Sequence, residues 1–558
     1  MTARPALLVV IAASLLALLV TMPVALHPTT YIYGSPGDPS GAVTVIWWQS
    51  YALTHGLPLL DNPLQGVPLG SDWSQIPFSP LPLFIYTPLS LLVGPVLTYN
   101  LVVLSAFVLT AWTTFLLARR LGATDLGAAF AGLSFAFIPY HLEKAQGHAN
   151  QTHLELLVAG LLCLTIWRME RRWKWAAAAG VMFGLQTWLE PSIAYVMAPA
   201  LAACLLASAL VALATRADKL EELGRHVAAG ALMAVAAVPF LPVMFFFLHR
   251  PGTPATASGL LTLPQRSLYE VTMFGARLHE YLQPYYNNPL LPASIKRWEL
   301  AHLHASNWAE SSILLGYAVI ALALIGVALT RRAFPIALAI MLIAVGGVLA
   351  EAPVRAIFGM TVHFPSYYFV QVIPTFRVYS RFAWMVLLGA ALLAGLGLTA
   401  LESRLKPGRL HILLLVPFLL AAIEFNNLPP FHVVKLLPAP AEYTWLRDQP
   451  QGVLMEYPAN AGNPVAQEIE LRQYLLYQMV HLHPTFLTET ETGPAMEEAK
   501  KLEPYYAPGV IERLKAYRVR YVFVHTAEYR ADGFDVPRAV DGLTYVTTLD
   551  GVDVYVVG

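Results

Sequence analysis

The chain has 558 residues, 57% of them hydrophobic and only 13% charged, with 35 Lys+Arg balanced by 35 Asp+Glu. Soluble domains carry about 25% charged residues, so charge here is too sparse to cover a water-soluble globule of this length. The same figures exclude intrinsic disorder and a nucleic-acid protein working through a basic surface.

A bilayer-crossing helix needs roughly 20 predominantly apolar residues. Such runs recur near 6–26, 96–118, 124–139, 152–168, 174–189, 193–214, 226–248, 311–330, 334–351, 382–401 and 410–426. They predict a mainly α, polytopic membrane protein of about eleven transmembrane helices, with the Pro-rich stretch 77–95 as an extra half-span. The first run is long for a signal-peptide core and lacks a small-residue cleavage site before His27, so it is expected to stay as a helix. Cys163 and Cys204 both lie in apolar runs, which argues against a disulfide framework or a thiolate metal site.

Short basic connections alternate with long ones. Arg119–Arg120, the run RMERRWK at 168–174, the segment 216–225, Arg331–Arg332 and 404–409 fall on one side together with Arg4. The alternate connections 27–78, 140–151, 249–310 and 352–381 are rich in Pro and aromatic residues. The positive-inside rule places the basic set, and the N-terminus, in the cytoplasm. Residues 1–428 are thus expected to form a multi-span domain in the cell (plasma or inner) membrane, and 429–558 a second, extracytoplasmic domain.

That tail changes composition. GVLMEY at 452–457 and RYVFVH at 520–525 read as strands, and YVTTL and VDVYVV flank Asp550–Gly551, a two-residue hairpin signal. Helical stretches are expected at 464–480 and 508–517, giving a small α/β domain. No internal repeat of fixed period is visible.

Ionisable groups at membrane depth are costly, and they gather at one face. The loop 27–78 has no Lys or Arg and offers Asp38, Asp61 and Asp72 beside Trp47, Trp48, Tyr51 and Trp73. Asp38 sits in a Gly-Asp-Pro turn before an amphipathic helix expected from about Gly41 to Thr54. A carboxylate pinned there suits a general base, and equally suits a turn-forming, helix-capping role. The loop PYHLEKAQGHANQTHLEL supplies His141, Glu143, Lys144, His148 and His153 without zinc-binding spacing. Glu143 is placed to meet Asp38 above the bilayer, and Glu190 and Glu310 are further candidates for one cavity. In PTFRVYSRFAW, Arg377 and Arg381 stand at i and i+4 outside the tenth span, which suits a lipid phosphate or plain interfacial snorkelling. The segment 249–310 is expected as a partly helical cap, with His302 and His304, like His481 and His483, in solvent.

Taken together, an outer loop with an early acidic residue (GDPSGAVTVIWWQ), the stretch PLLDNPLQGVPLG, the acidic HLEKAQGH between spans and the arginine pair in FRVYSRF resemble the GT-C superfamily of polytopic membrane glycosyltransferases. The similarity is to prokaryotic members related to the protein-mannosyltransferase and oligosaccharyltransferase branches, and it covers about 1–426 and, more loosely, the tail. It implies transfer of a sugar from an outer-leaflet polyprenyl-phosphate donor to an extracytoplasmic acceptor (glycan, lipid or protein) through a hydroxyl or amide, with inversion. Asp38 would be the general base, and Arg377 and Arg381 would bind the donor phosphate. Glu143, His141 and Glu310 would contact acceptor, sugar or metal, and Trp47 and Trp48 would stack on sugar or anchor in the interface. The family often pairs acidic residues in the first loop, whereas Asp38 stands alone here. A divalent cation (Mg or Mn) is therefore an open expectation. No nucleic-acid partner is expected. Two other readings stay open: a transporter or flippase of lipid-linked substrates, and a non-catalytic scaffold of the same fold. Charge-poor mid-spans with polar residues at one face favour the enzyme.

Overall fold

The computed structural model describes residues 3–71, 73, 79–248, 266–304, 308–373, 376–405, 409–428, 431–459, 464–489 and 493–558. Asp72 lies outside the described residues, as does most of the first part of the expected cap. The strands in chain order are β1 (Tyr31–Tyr33), β2 (Val354–Ile357), β3 (Met360–His363), β4 (Val433–Lys435), β5 (Val453–Tyr457), β6 (Val519–His525), β7 (Leu543–Leu549) and β8 (Val552–Val557). The rest of the regular structure is helical. The chain divides into two compact units, one of Met1–Met22, Val102–Leu248 and Ser258–Phe431, the other of Pro23–Leu101, His249–Ala257 and His432–Gly558.

Among the described residues, six helices are long and apolar enough to cross a membrane: Pro95–Leu121, Ala149–Glu170, Pro191–Thr215, Lys219–Phe246, Ala333–Ala350 and Tyr379–Glu402. Five shorter apolar helices accompany them, Arg4–Val20, Pro80–Val93, Asp125–Ala136, Tyr317–Leu329 and His411–Glu424.

In the first unit the helix Ala383–Glu402 is central. It packs against Tyr317–Leu329, Ala333–Ala350 and Asp125–Ala136. Its backbone meets that of Asp125–Ala136 at Gly127 and Gly395, where a Cβ on either glycine would strike the facing carbonyl. Small residues permit such close approach where lipid supplies no hydrophobic drive between helices. By contrast, only 17% of the apolar stretch in Lys219–Phe246 is buried, so that helix presents its side chains outward, as a lipid-facing helix does. The antiparallel hairpin β2–β3 also belongs to this unit.

In the second unit β1 pairs antiparallel with β4, tying the segment that holds Tyr31–Tyr33 to the start of the tail. The main sheet runs β5-β6-β8-β7, with β5 and β6 parallel and the remaining pairs antiparallel. Side chains alternate between two covered faces. Met455, Tyr457, Val522 and Val524 enter one core, while Leu454, Tyr521, Phe523 and Val554 enter the other. Burial on both faces explains why these strands read as nearly unbroken apolar runs. Asp550 and Gly551 turn the β7–β8 hairpin with φ of 47° and 87°, the positive pair that a two-residue turn of this hand requires.

Candidate functional site

Asp38 opens the helix Asp38–His55. Pro39 follows inside the first turn, where a missing N–H costs nothing, and Gly37 precedes with φ 119°, a backbone setting that favours glycine. Gly56 closes the helix in the left-handed conformation. The helix is largely buried rather than amphipathic along its length. Gly37, not Asp38, is the N-cap, and no side chain caps the helix; Asp38 instead places an acidic group in the first turn, where it complements the helix dipole.

That local role does not exhaust it. Arg472, on the helix Pro464–Leu476, donates from Nη1 to Asp38 Oδ1. Its Nε lies 3.5 Å from Glu489 Oε1. Gly41, one turn along from Asp38, has no room for a Cβ, which would strike Glu489 Oε1 and crowd Arg472. Residues 62–67 and Trp73 support the group. Gln65 Oε1 accepts the Glu489 N–H and the Trp73 indole N–H, each at 3.1 Å. Backbone bonds from Val67 to Thr485 (3.0 Å) and from Thr485 to Leu64 (2.8 Å) stitch those residues to the tail, and Asn62 donates to Gln478 at 3.1 Å.

Trp47 and Trp48 are both buried, and Trp48 gives its indole N–H to the carbonyls of Asp61 (2.8 Å) and Pro58 (3.0 Å). Its ring sits among Trp47, Tyr51 and Trp73. Trp48 thus braces the loop from inside and presents no open face for sugar stacking. The Asp61 side chain accepts weakly from Ser71 at 3.4 Å.

A second cluster lies wholly within the first unit. Glu310 accepts from Tyr140 (3.1 Å) and Ser380 (3.1 Å), pairs with fully buried Lys144, and has Arg381 Nη2 at 3.9 Å. Burial alone would push the Glu310 carboxyl up, but Lys144 and Arg381 outweigh it and hold it down at about 2. Glu143 accepts from the Tyr285 hydroxyl at 2.6 Å and from the Asn287 amide. His141 is buried between Phe107 and Trp384, and burial, reinforced by His153, lowers its pKa to about 3. It is a neutral packing residue at neutral pH.

Several expectations change here. Arg377 and Arg381 do not share a helix face: Arg377 lies outside any helix or strand, and Arg381 in the short 3-10 turn Tyr379–Phe382 that precedes Ala383–Glu402. Arg377 is 44% exposed, pairs with Glu270 at 2.8 Å and lies over Phe274. Glu190 caps the helix Pro191–Thr215 by accepting from the Ser192 N–H at 3.2 Å. His481 and His483 are buried, not solvated, because the segment carrying them packs beneath the sheet of the tail. His304 is partly covered and pairs with Glu280 at 3.1 Å, while His302 is exposed. Arg472, Glu489 and Gln65 carry no local motif. Only an outer loop with no cation of its own hinted that one must come from elsewhere in the chain.

The resemblance leaves a divalent cation open, and the donor set can be tested against it. Asp38 faces a guanidinium, Glu143 faces a hydroxyl and an amide donor, and among the described residues no three His, Cys, Asp or Glu gather in a metal-binding group. These residues as arranged do not fit a divalent ion.

Comparison with known proteins agrees with the architecture. No family model and no curated protein matches the chain. Among solved structures, the arabinofuranosyltransferase AftD from Mycobacteria superposes with a TM-score of 0.60 at 14% identity, over 100% of this chain and 40% of that one. A variant of AftD gives 0.60 at 16% identity, over 100% and 42%. The chain shares its fold with that part of AftD. An oligosaccharyltransferase from Archaeoglobus fulgidus, in its apo form, aligns over 93% of this chain and 69% of its own, at 13% identity and a TM-score of 0.48. The chain spans less than half the length of AftD. Among the described residues, the sequence candidates lead to two concentrations of polar side chains, the Asp38–Arg472–Glu489 group and the Glu310 cluster.

Proposed function

We propose that the protein is a membrane glycosyltransferase that moves a sugar from an outer-leaflet polyprenyl-phosphate donor to an extracytoplasmic acceptor. The GT-C fold supports the class, and the observation that carries the reading is Asp38 at a helix start with its carboxylate oriented by Arg472. In this reading an Asp38 oxygen takes the proton of the acceptor hydroxyl or amide as the acceptor atom bonds to the anomeric carbon. The bond from that carbon to the phosphate oxygen breaks, and direct displacement inverts the configuration. Arg472 orients the base, as the third member of a catalytic group does.

The donor-side role falls to Arg381 and Arg377. Arg381 is long-paired to Glu310, so its guanidinium keeps donors for a phosphate, and Arg377 is exposed. Charge-assisted, bidentate bonds of that kind stabilise a leaving phosphate. Glu310 and Lys144 fix the segments that carry Arg381 and Glu143. The deciding experiment incubates purified full-length protein in detergent with a labelled polyprenyl-phosphate sugar and acceptor. Labelled product is expected. Intact donor after long incubation, with no product across a panel of sugars, would reject the enzyme reading in favour of transport or scaffolding.

A further inference from the structure

A cleft of about 470 Å³ opens in the tail, lined by Lys435, Glu442, Tyr477, His525, Glu528 and Asp550 among others. It lies beside the carboxyl end of β6, where His525 is the last strand residue and Glu456 of parallel β5 stands next to it. Ligands of open α/β sheets bind in the crevice outside the carboxyl ends of their strands. Glu456 is buried and accepts from the Tyr443 hydroxyl at 2.7 Å and from His525 Nε2 at 3.3 Å, which holds the His525 ring in place at the cleft wall. Tyr477 stacks on Tyr443 with centroids 4.5 Å apart, and His525 stacks on Tyr474 at 4.3 Å.

Glu442 is only 3% exposed, and its Oε2 has no hydrogen-bond partner among the described residues. An unpartnered buried carboxyl oxygen in a cleft wall is a costly arrangement that a ligand hydroxyl would relieve. Two carboxylates, from Glu528 and Asp550, and the carboxyl of Glu442 face one lysine and one histidine already engaged with Glu456. That balance repels phosphates and other anions. Acceptor oxygens beside tyrosine rings instead match a neutral molecule that presents many hydroxyl groups.

We propose that this cleft is a saccharide-binding site, separate from the Asp38 group, that holds a neutral stretch of glycan through hydroxyl bonds to Glu442. The choice of a glycan among neutral polyhydroxylated ligands rests on the glycosyltransferase reading. Burial raises the Glu442 carboxyl to about 7, so at neutral pH it both donates and accepts, as a hydroxyl partner needs.

The test is calorimetric titration of the full-length protein in lipid nanodiscs with neutral pentose and hexose trisaccharides, with spermidine and with inorganic phosphate. A trisaccharide is expected to bind with Kd of about 1 mM, and Glu442→Gln and Tyr477→Ala should each weaken it about tenfold. Asp38→Asn should leave that binding unchanged. Thermal unfolding of both variants separates lost binding from lost folding, and Glu442→Gln should not lower Tm because it removes a desolvated charge. Absence of trisaccharide binding up to tens of Kd, insensitivity to both variants, or preference for spermidine would overturn the proposal. Donor-to-acceptor transfer measured on the same samples distinguishes the two readings. Binding without transfer rejects the enzyme, and transfer without binding rejects the cleft.

Discussion

Arg472 and Asp38 stand 434 positions apart in sequence, and the guanidinium of the one donates to the carboxylate of the other. Both side chains are partly exposed, so the pair contributes at most about 1 kcal/mol to stability once solvent screening is counted. Its value lies in geometry. Arg472→Gln should therefore leave the unfolding midpoint nearly unchanged while lowering kcat about 100-fold, since small misplacements of a reacting group cost about that much. Steady-state kinetics beside thermal unfolding measure the two effects. A full-rate Arg472→Gln enzyme would remove Arg472 from the mechanism.

Gly41 tests the same group from another side. Alanine normally stabilises a helix interior by about 0.5–1 kcal/mol relative to glycine. At this position the added methyl meets the Glu489 carboxylate and crowds Arg472. Gly41→Ala should show little net change in Tm and about tenfold slower transfer, while Gly56→Ala, where a Cβ meets open space, should spare transfer and cost stability through its positive φ.

The Glu310 cluster should govern stability at low pH. Its folded pKa of about 2 lies below the unfolded value of about 4.3. A carboxyl shifted in that direction contributes stability that is present above pH ~4.3 and lost as pH falls toward 2. Glu310→Gln removes a buried carboxylate that pairs with Lys144 and lies beside Arg381, and should cost about 3–5 kcal/mol. Denaturant unfolding at pH 7 reads the loss, and the acid limb between those pH values should flatten in the variant.

Two buried histidines set a different window. His141 and His481 are each lowered to about 3, by burial first and then by His153 and His483 respectively. Unfolding restores a value of about 6.5, so each favours the folded state above that pH and loses its contribution as pH falls from 6.5 toward 3. The slope is at most about 1.4 kcal/mol per pH unit for each histidine. His141→Phe, which keeps a ring between Phe107 and Trp384, should reduce the drop in Tm between pH 7 and pH 5. An unchanged drop would show that His141 does not titrate in that range.

Local patterns told the sequence reader most about the tail. The Asp550–Gly551 turn, the strands at 453–457 and 519–525 and the helix beginning beside Asp38 all follow from short-range signals of turn chemistry and apolar alternation. Helix length was harder to see, because glycines cut apolar stretches short, Gly94 at the end of Pro80–Val93 and Gly316 at the start of Tyr317–Leu329. Arg377 and Arg381 misled because an i, i+4 spacing means a shared face only inside an α-helix, and that helix starts at Ala383. His481 and His483 stand in a polar stretch and are buried by packing that no local pattern encodes. Arg472 stands 434 positions from Asp38 and Glu310 stands 166 from Lys144, and long-range ion pairs leave no periodic trace.

The most direct measurement is transfer of a labelled sugar from a polyprenyl-phosphate donor by wild-type and Asp38→Asn protein, matched for folding by thermal unfolding. Wild type should form product, and the variant should bind donor with unchanged affinity yet transfer at least about 10³-fold more slowly. Equal rates from the two proteins would contradict the assignment of Asp38 as the base.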